Sequence, residues 1–157
     1  MTTKTAHHLL PAILHLAALM KNKGQIIALD IYEWKLAELK RRAKRAGAHN
    51  IETRYIDDNK VIKRLHEKAD RLLIDSPCSG LGVLKRNPDS KWKIDQEFID
   101  RIRKEQEKIL QDYSKILKKG GKMVYATCSI LPSENNEQVA TFLKNNEGYT
   151  LLKEEKV

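Results

Sequence analysis

Two short runs limit what this chain can fold into more than any other feature. Gln25-Ile26-Ile27-Ala28-Leu29-Asp30 and Leu72-Leu73-Ile74-Asp75 are apolar almost without a break and then stop at an aspartate. A strand with one wet face alternates apolar and polar side chains, whereas a strand covered on both faces reads as a continuous apolar run, and such strands belong to parallel sheets. Helical patterns fill the spaces around the runs. Over residues 9–20, Leu9, Ile13, Leu16, Ala17 and Met20 fall on one helical face, with Gly24 to end it. Residues 33–46 alternate Trp34, Ala37, Leu39 and Ala43 with a cationic face of Lys40, Arg41, Arg42, Lys44 and Arg45, and Gly47 supplies the stop. Residues 51–56 make a short strand before Asp57-Asp58, and 61–68 a short helix. A long amphipathic helix is predicted over 95–117, with Phe98, Ile99, Ile102, Ile109, Tyr113 and Ile116 on one face and Gly120-Gly121 closing it. A strand over 122–129 follows, then a helix capped by Ser133 and carrying Val139, Ala140, Phe142 and Leu143, then a last strand over 148–152. Strands alternate with helices throughout, which predicts an α/β fold with helices on both faces of the sheet. At 157 residues, without repeats or low-complexity linkers, the chain suits one domain with a core of its own.

In open α/β sheets ligands gather at the carboxyl ends of the strands. That rule puts Asp30, Asp57, Asp75, Cys78 and Cys128 on one rim. A carboxylate after an early strand can accept hydrogen bonds from both hydroxyls of a ribose; the alternative is an acid that caps the next helix or turn. The two cysteines are the only ones in the chain, and each arrives at a strand end, in Asp75-Ser76-Pro77-Cys78-Ser79-Gly80 and in Tyr125-Ala126-Thr127-Cys128-Ser129. Residues 76–93 form a long loop with two prolines, two glycines, Lys85-Arg86 and Trp92. Loops of that length in a compact domain tend to be functional.

Charge enters where a partner is sought. Lys and Arg number 30 against 21 Asp and Glu, a formal net charge of +9, which favours a polyanion through counterion release. The basic face of the 33–46 helix is open to two readings, a solvated surface or an RNA contact. Two cysteines make no disulfide framework, and no Cys/His cluster has zinc spacing, His7, His8 and His15 coming nearest, so no metal is expected. The apolar stretch over 9–20 is interrupted by Pro11 and His15 and is shorter than the roughly 20 residues a membrane span needs. No small-residue cleavage site precedes Lys21-Asn22-Lys23, so no membrane association is expected, and a reducing cytoplasmic setting would keep both thiols free.

These residues resemble the RNA cytosine-5 methyltransferases, particularly the bacterial small-subunit ribosomal RNA enzymes of the Sun/Fmu group. Asp75-Ser76-Pro77-Cys78-Ser79-Gly80 is similar to the family's Pro-Cys motif and Tyr125-Ala126-Thr127-Cys128-Ser129 to its second cysteine motif. Lys85-Arg86-Asn87-Pro88-Asp89 with Lys91-Trp92 resembles the joining segment, and Pro132-Ser133-Glu134-Asn135 the run that follows. The likeness begins near Leu14 and implies a Rossmann-like domain that uses S-adenosylmethionine on RNA, with ribosomal RNA as the substrate. It implies Cys128 as the nucleophile toward ring carbon 6 of cytosine, Cys78 as the group assisting loss of the carbon 5 proton, and Asp75 as a hydrogen-bonding partner of the cytosine edge. Asp75, Asp30 and Asp57 fall at cofactor-binding positions, Asp30 at the ribose and Asp57 toward the adenine. Lys85, Arg86 and Lys91 are phosphate contacts under the same reading.

The chain departs from the family upstream of Leu14. There the family has a first strand and a loop of the Gly-x-Gly-Gly-Lys-Thr kind, whereas this sequence has Thr3-Lys4-Thr5-Ala6-His7-His8, with no glycine. A Cβ in such a loop blocks the tight turn and the close approach of the backbone to a cofactor. The chain is therefore expected to be a single but partial methyltransferase domain, completed by an amino-terminal region or a second chain, or else a catalytically incompetent remnant that at most binds RNA. A dithiol redox role fits less well, because the cysteines lack Cys-x-x-Cys spacing.

Overall fold

The structure, a computed structural model, describes residues 9–86, 88–92 and 94–155. The Thr3-Lys4-Thr5 echo, His7 and His8 lie outside the described residues. The chain divides into two compact units, residues 1–65 and 66–157.

The first unit contains α1 (Leu9–Leu19), β1 (Ile26–Asp30), α2 (Glu33–Arg45), β2 (Ile51–Tyr55) and α3 (Asn59–Lys63). β1 and β2 pair in parallel, Ile26 opposite Ile51 through Asp30 opposite Tyr55. Its core joins Leu10 and Ile13 of α1, Ala28 of β1 and Leu39 of α2, with Leu14, Ile26 and Ile51 packed around them. Two helical faces differ from the sequence reading. Leu16 is exposed, and α1 turns Leu10, Ile13 and Ala17 inward. In α2 the buried stripe is Leu36, Leu39 and Ala43, while Trp34 and Ala37 are exposed. A 3.6-residue period tolerates either stripe from sequence alone, and the choice falls to the neighbour each face meets. Asp58 caps α3 by accepting from the Lys60 amide at 2.7 Å, so this helix starts earlier and is shorter than predicted.

The second unit contains β3 (Ala69–Asp75), α4 (Gln96–Tyr113), β4 (Leu117–Ala126) and α5 (Asn136–Asn145), with short 3-10 turns over Leu81–Val83, Pro88–Trp92, Ser114–Ile116 and Pro132–Glu134. β3 and β4 pair in parallel, and Asp95 caps α4 by accepting from the Phe98 amide at 2.7 Å. Ile74, Leu110 and Phe142 form the core, joined by Leu72, Ile109, Tyr113, Met123, Tyr125 and Leu143. α4 and α5 thus cover one face of the pair. Leu73 and Val124 lie on the opposite face and are 40% and 56% exposed, so β3 is not covered throughout as its apolar run predicts.

Gly120-Gly121 does not end α4; the helix stops at Tyr113, and both glycines lie inside β4. Between the pairs Ala69/Leu117 and Arg71/Lys122, five steps along β4 match two along β3, leaving three residues extra in a bulge. Gly120 takes φ +76° there, and a Cβ on Gly121 would lie 2.8 Å from Leu117 and 3.0 Å from the Lys118 carbonyl. Ser133 lies in a 3-10 turn, and α5 begins after Asn135 without a side-chain cap. Residues 148–152 form no strand. Instead Tyr149 docks edge-on against Phe142 at 5.0 Å and donates to the Ser114 carbonyl at 3.0 Å, leaving Leu151 and Leu152 exposed. Among the described residues β1 pairs with β2 alone and β3 with β4 alone, and no helix is long and apolar enough to cross a membrane.

Candidate active site

The β3/β4 pair determines the geometry of the site. Parallel strands deliver their following residues to the same end, and here the offset drops by one past the strand ends, from 51 in the ladder (126 − 75) to 50 at the cysteines (128 − 78). The Ser76 amide donates to the Ala126 carbonyl at 2.9 Å, and Cys78 Sγ lies 3.1 Å from Cys128 Sγ. Ser79 Oγ lies 3.1 Å from Ser129 Oγ. Two Cys-Ser pairs thus face one another. The Cys128 amide also donates to Cys78 Sγ at 3.3 Å, and the Gly82 amide donates to the Cys128 carbonyl at 2.9 Å. A Cβ on Gly82 would stand 2.8 Å from that carbonyl oxygen, so the two loops approach as closely as they do only because residue 82 has no side chain.

The thiols are unequal. Cys78 is buried, whereas Cys128 is partly exposed. Two neighbouring thiols cannot both ionise readily, and the better-solvated one takes the charge. The hydrogen bond that Cys78 shares with Cys128, together with burial, pushes the Cys78 thiol far up; the same hydrogen bond draws Cys128 down from 9.0 to about 7, against burial and the carboxylates of Asp75 and Glu134. Cys128, the more exposed sulfur, is therefore the one that ionises first, with the Cys78 thiol as its hydrogen-bond donor. Asp75 is exposed at the carboxyl end of β3.

Behind the thiols lies Glu134, fully buried. One carboxylate oxygen accepts from the Ser79 amide at 2.8 Å and from Gln106 Nε2 at 3.3 Å. The other accepts from Ser79 Oγ at 2.6 Å and from Ser129 Oγ. Gln106 Nε2 reaches the Pro77 carbonyl at 2.8 Å as well, and Tyr125 donates its hydroxyl to the Glu134 carbonyl at 3.0 Å. Asn135 accepts from Thr127 Oγ1 and donates to the Ser129 carbonyl at 2.8 Å. The sequence reading gave none of these residues a role. A signal did exist: Gln106 interrupts the apolar stripe of Ile99, Ile102 and Leu110, and a buried amide must have partners.

The other sequence-derived positions fall as follows. Asp30, in the first unit, accepts from the Tyr32 amide at 2.8 Å with one carboxylate oxygen, while the other lies 3.7 Å from Lys35 Nζ. Asp57, in the same unit, is exposed and accepts from the Asp58 amide at 2.8 Å. Asp30 therefore does the turn-holding work that was the alternative for it, whereas Asp57 only accepts from the neighbouring amide of Asp58, which is itself the cap of α3; both keep lone pairs for a further donor. Lys85 and Arg86 are exposed, and the side chain of Lys91 lies outside the described residues. Among the described residues no group of three or more His, Cys, Asp or Glu side chains could hold a metal ion.

Parallel strand pairs flanked by helices, with acids and paired thiols at the carboxyl ends, make up a Rossmann-like α/β fold. Comparison with known proteins places it more narrowly. The family model for 16S rRNA methyltransferase RsmB/F matches residues 12–156, and the chain belongs to that family. It is 37% identical over 133 residues to the Bacillus subtilis protein named "Probable ribosomal RNA small subunit methyltransferase B", covering 84% of this chain and 30% of that one. It is 40% identical over 125 residues to ribosomal RNA small subunit methyltransferase B of Proteus mirabilis, covering 78% and 29%. Among solved structures, NSun6 from Pyrococcus horikoshii with SFG superposes with a TM-score of 0.75 at 31% identity, covering 85% of this chain and 34% of that one. The chain thus spans about 30% of the length of the curated relatives it matches.

Proposed function

We propose that this chain is a methyltransferase domain that acts on carbon 5 of a cytosine in RNA, with small-subunit ribosomal RNA as the substrate class. One observation carries the chemistry: the 3.1 Å contact of the buried Cys78 with the more exposed Cys128. Family membership supports the substrate class, and a solved relative holding SFG, an analogue of S-adenosylmethionine, supports the cofactor. Within the first unit, Asp30 and Asp57 stand at and just after the carboxyl ends of β1 and β2, a position that suits the ribose and adenine of such a cofactor. Asp30 would accept from the ribose hydroxyls and Asp57 would hold the adenine end. When bound, S-adenosylmethionine supplies an electrophilic methyl group.

Cytosine carbon 5 is a poor nucleophile until a group adds to carbon 6. The Cys128 thiolate adds there, forming a sulfur–carbon bond, while Asp75 hydrogen-bonds the cytosine edge and favours protonation of the ring nitrogen, which takes up the developing charge. Carbon 5, now enamine-like, takes the methyl group. Cys78 then assists loss of the carbon 5 proton, the electron pair re-forms the ring double bond, and the bond to Cys128 breaks. The structure offers a physical reason for the order of events. The hydrogen bond and negative charge of Cys128 are leading causes holding the proton on Cys78, and both vanish once Cys128 is bonded to carbon. A cytosine must leave any stack to reach two thiols at a loop rim, so single-stranded or distorted RNA is the natural substrate, with Lys85, Arg86 and Lys91 as phosphate contacts. A reducing, cytoplasmic compartment fits two unpaired thiols.

Calorimetric titration with S-adenosylmethionine tests the cofactor: binding is expected, and none at millimolar ligand removes the enzymatic reading for this chain. Cys78→Ala, incubated with cofactor and cytosine-containing RNA at mildly alkaline pH, is expected to trap a covalent complex that survives denaturing electrophoresis. Cys128→Ala is expected to trap none, and trapping by Cys128→Ala in place of Cys78→Ala would reverse the two roles.

A further inference from the structure

We propose that Glu134 is a positioning residue that bridges the two cysteine loops and holds Cys78 and Cys128 within hydrogen-bond distance of each other. This rests on the two-thiol reading above, but concerns a residue that touches neither sulfur. Glu134 is completely buried, and a buried carboxylate is costly unless its oxygens are filled with donors. Here they are filled from both sides. Ser79, the residue after Cys78, contributes its amide and its hydroxyl. Ser129, the residue after Cys128, contributes its hydroxyl. Gln106, itself fully buried on α4, fixes the bridge to the scaffold by donating both to Glu134 and to the Pro77 carbonyl.

The arrangement has a specific purpose at the sulfurs. β3 and β4 cease pairing at Asp75 and Ala126, so the ladder itself does not fix residues 78 and 128. Beyond it the loops are held together by the Ser76–Ala126 and Gly82–Cys128 backbone bonds, by the Cys128 amide on Cys78 Sγ, by the contact of the Ser79 and Ser129 hydroxyls, and by Glu134. Glu134 gathers both of those hydroxyls on one carboxylate oxygen. Hydrogen bonds weaken steeply as donor and acceptor lose alignment, so a relaxation that turns the two loops apart deprives Cys128 of the Cys78 proton. The titratable groups facing Cys128 are Cys78, Asp75 and Glu134, with Tyr125 beside Cys78. Of these, the Glu134 charge opposes ionisation of Cys128. Its bridging and its charge therefore act on Cys128 in opposite directions, which makes the two separable.

The test is the pH profile of Cys128 alkylation by iodoacetamide, resolved from Cys78 by peptide mass spectrometry, on the free chain without RNA or cofactor. Glu134→Ala removes the bridge and is expected to raise the Cys128 midpoint by about one unit, a roughly tenfold loss of thiolate at fixed pH below the midpoint. Glu134→Gln keeps a planar group that can span the same loops while losing the charge, and its midpoint is expected at or below that of the parent. Ser129→Ala severs the bridge on the Cys128 side without altering charge; it is expected to raise the midpoint by a smaller amount, and it serves if Glu134→Ala does not fold. No rise in Glu134→Ala or in Ser129→Ala, or a rise in Glu134→Gln equal to that of Glu134→Ala, would overturn the proposal. Because the readout is thiol reactivity, a chain that fails to bind S-adenosylmethionine can still support or overturn the bridging role.

Discussion

At the scale of single residues, Cys78 and Cys128 show how much a sequence can place without saying how it acts. Both thiols are visible as Cys-Ser pairs at strand ends, and parallel pairing brings both loops to the same end, but their contact also needs the loop bonds beyond the ladder, where the offset falls from 51 to 50. Their inequality follows only from burial, which a linear pattern does not contain. That inequality is testable in the free protein. Cys78 lowers the Cys128 midpoint to about 7 by donating its S–H, so Cys78→Ala is expected to move it up toward the ordinary thiol value of about 8.5. The sign is that of a lost donor to the charged form: less thiolate at pH 7, slower alkylation there, and recovery above the new midpoint. An unchanged profile would show that another group sets the acidity of Cys128. Glu134 lay hidden for a different reason, since an acid after a proline reads as surface, and only the fold buries it.

Among the elements, β1 and β3 announced themselves through continuous apolar runs, and both sit within a few residues of the predicted positions. The turns were harder. Glycine pairs end helices and form bulges with the same backbone freedom, so Gly120-Gly121 could not be assigned to one role without the pairing partner. The apolar run at 148–152 looked like a strand because its composition suits one, but among the described residues it finds no edge, and Tyr149 packs on Phe142 instead. Gly82 is the element-scale position with the sharpest constraint. Gly82→Ala places a methyl 2.8 Å from a backbone oxygen that is itself held by a hydrogen bond, so it is expected to cost about 1–3 kcal/mol as the loops part. Denaturant unfolding measures it, and a loss below a few tenths of a kcal/mol would mean that the loops separate freely.

At the scale of the whole molecule, charge and strand order carry the expectations. With a net charge of +9, binding to single-stranded RNA is expected to weaken as salt rises, log K falling linearly with log salt at about 0.7 per phosphate neutralised. Filter binding across a salt series measures the slope, and a flat response would remove the polyanion reading. The bulge in β4 has a consequence at this scale too. Without its three extra residues, every position of β4 beyond Lys119 would slide along β3 by roughly 10 Å, given about 3.3 Å per residue. An odd shift would also turn Met123 and Tyr125 away from α4 and α5. The glycine bulge is a ruler. From five positions upstream of the strand's end, it measures out how far the second strand travels before it releases its thiol, and so brings that thiol to the rim where the first one waits.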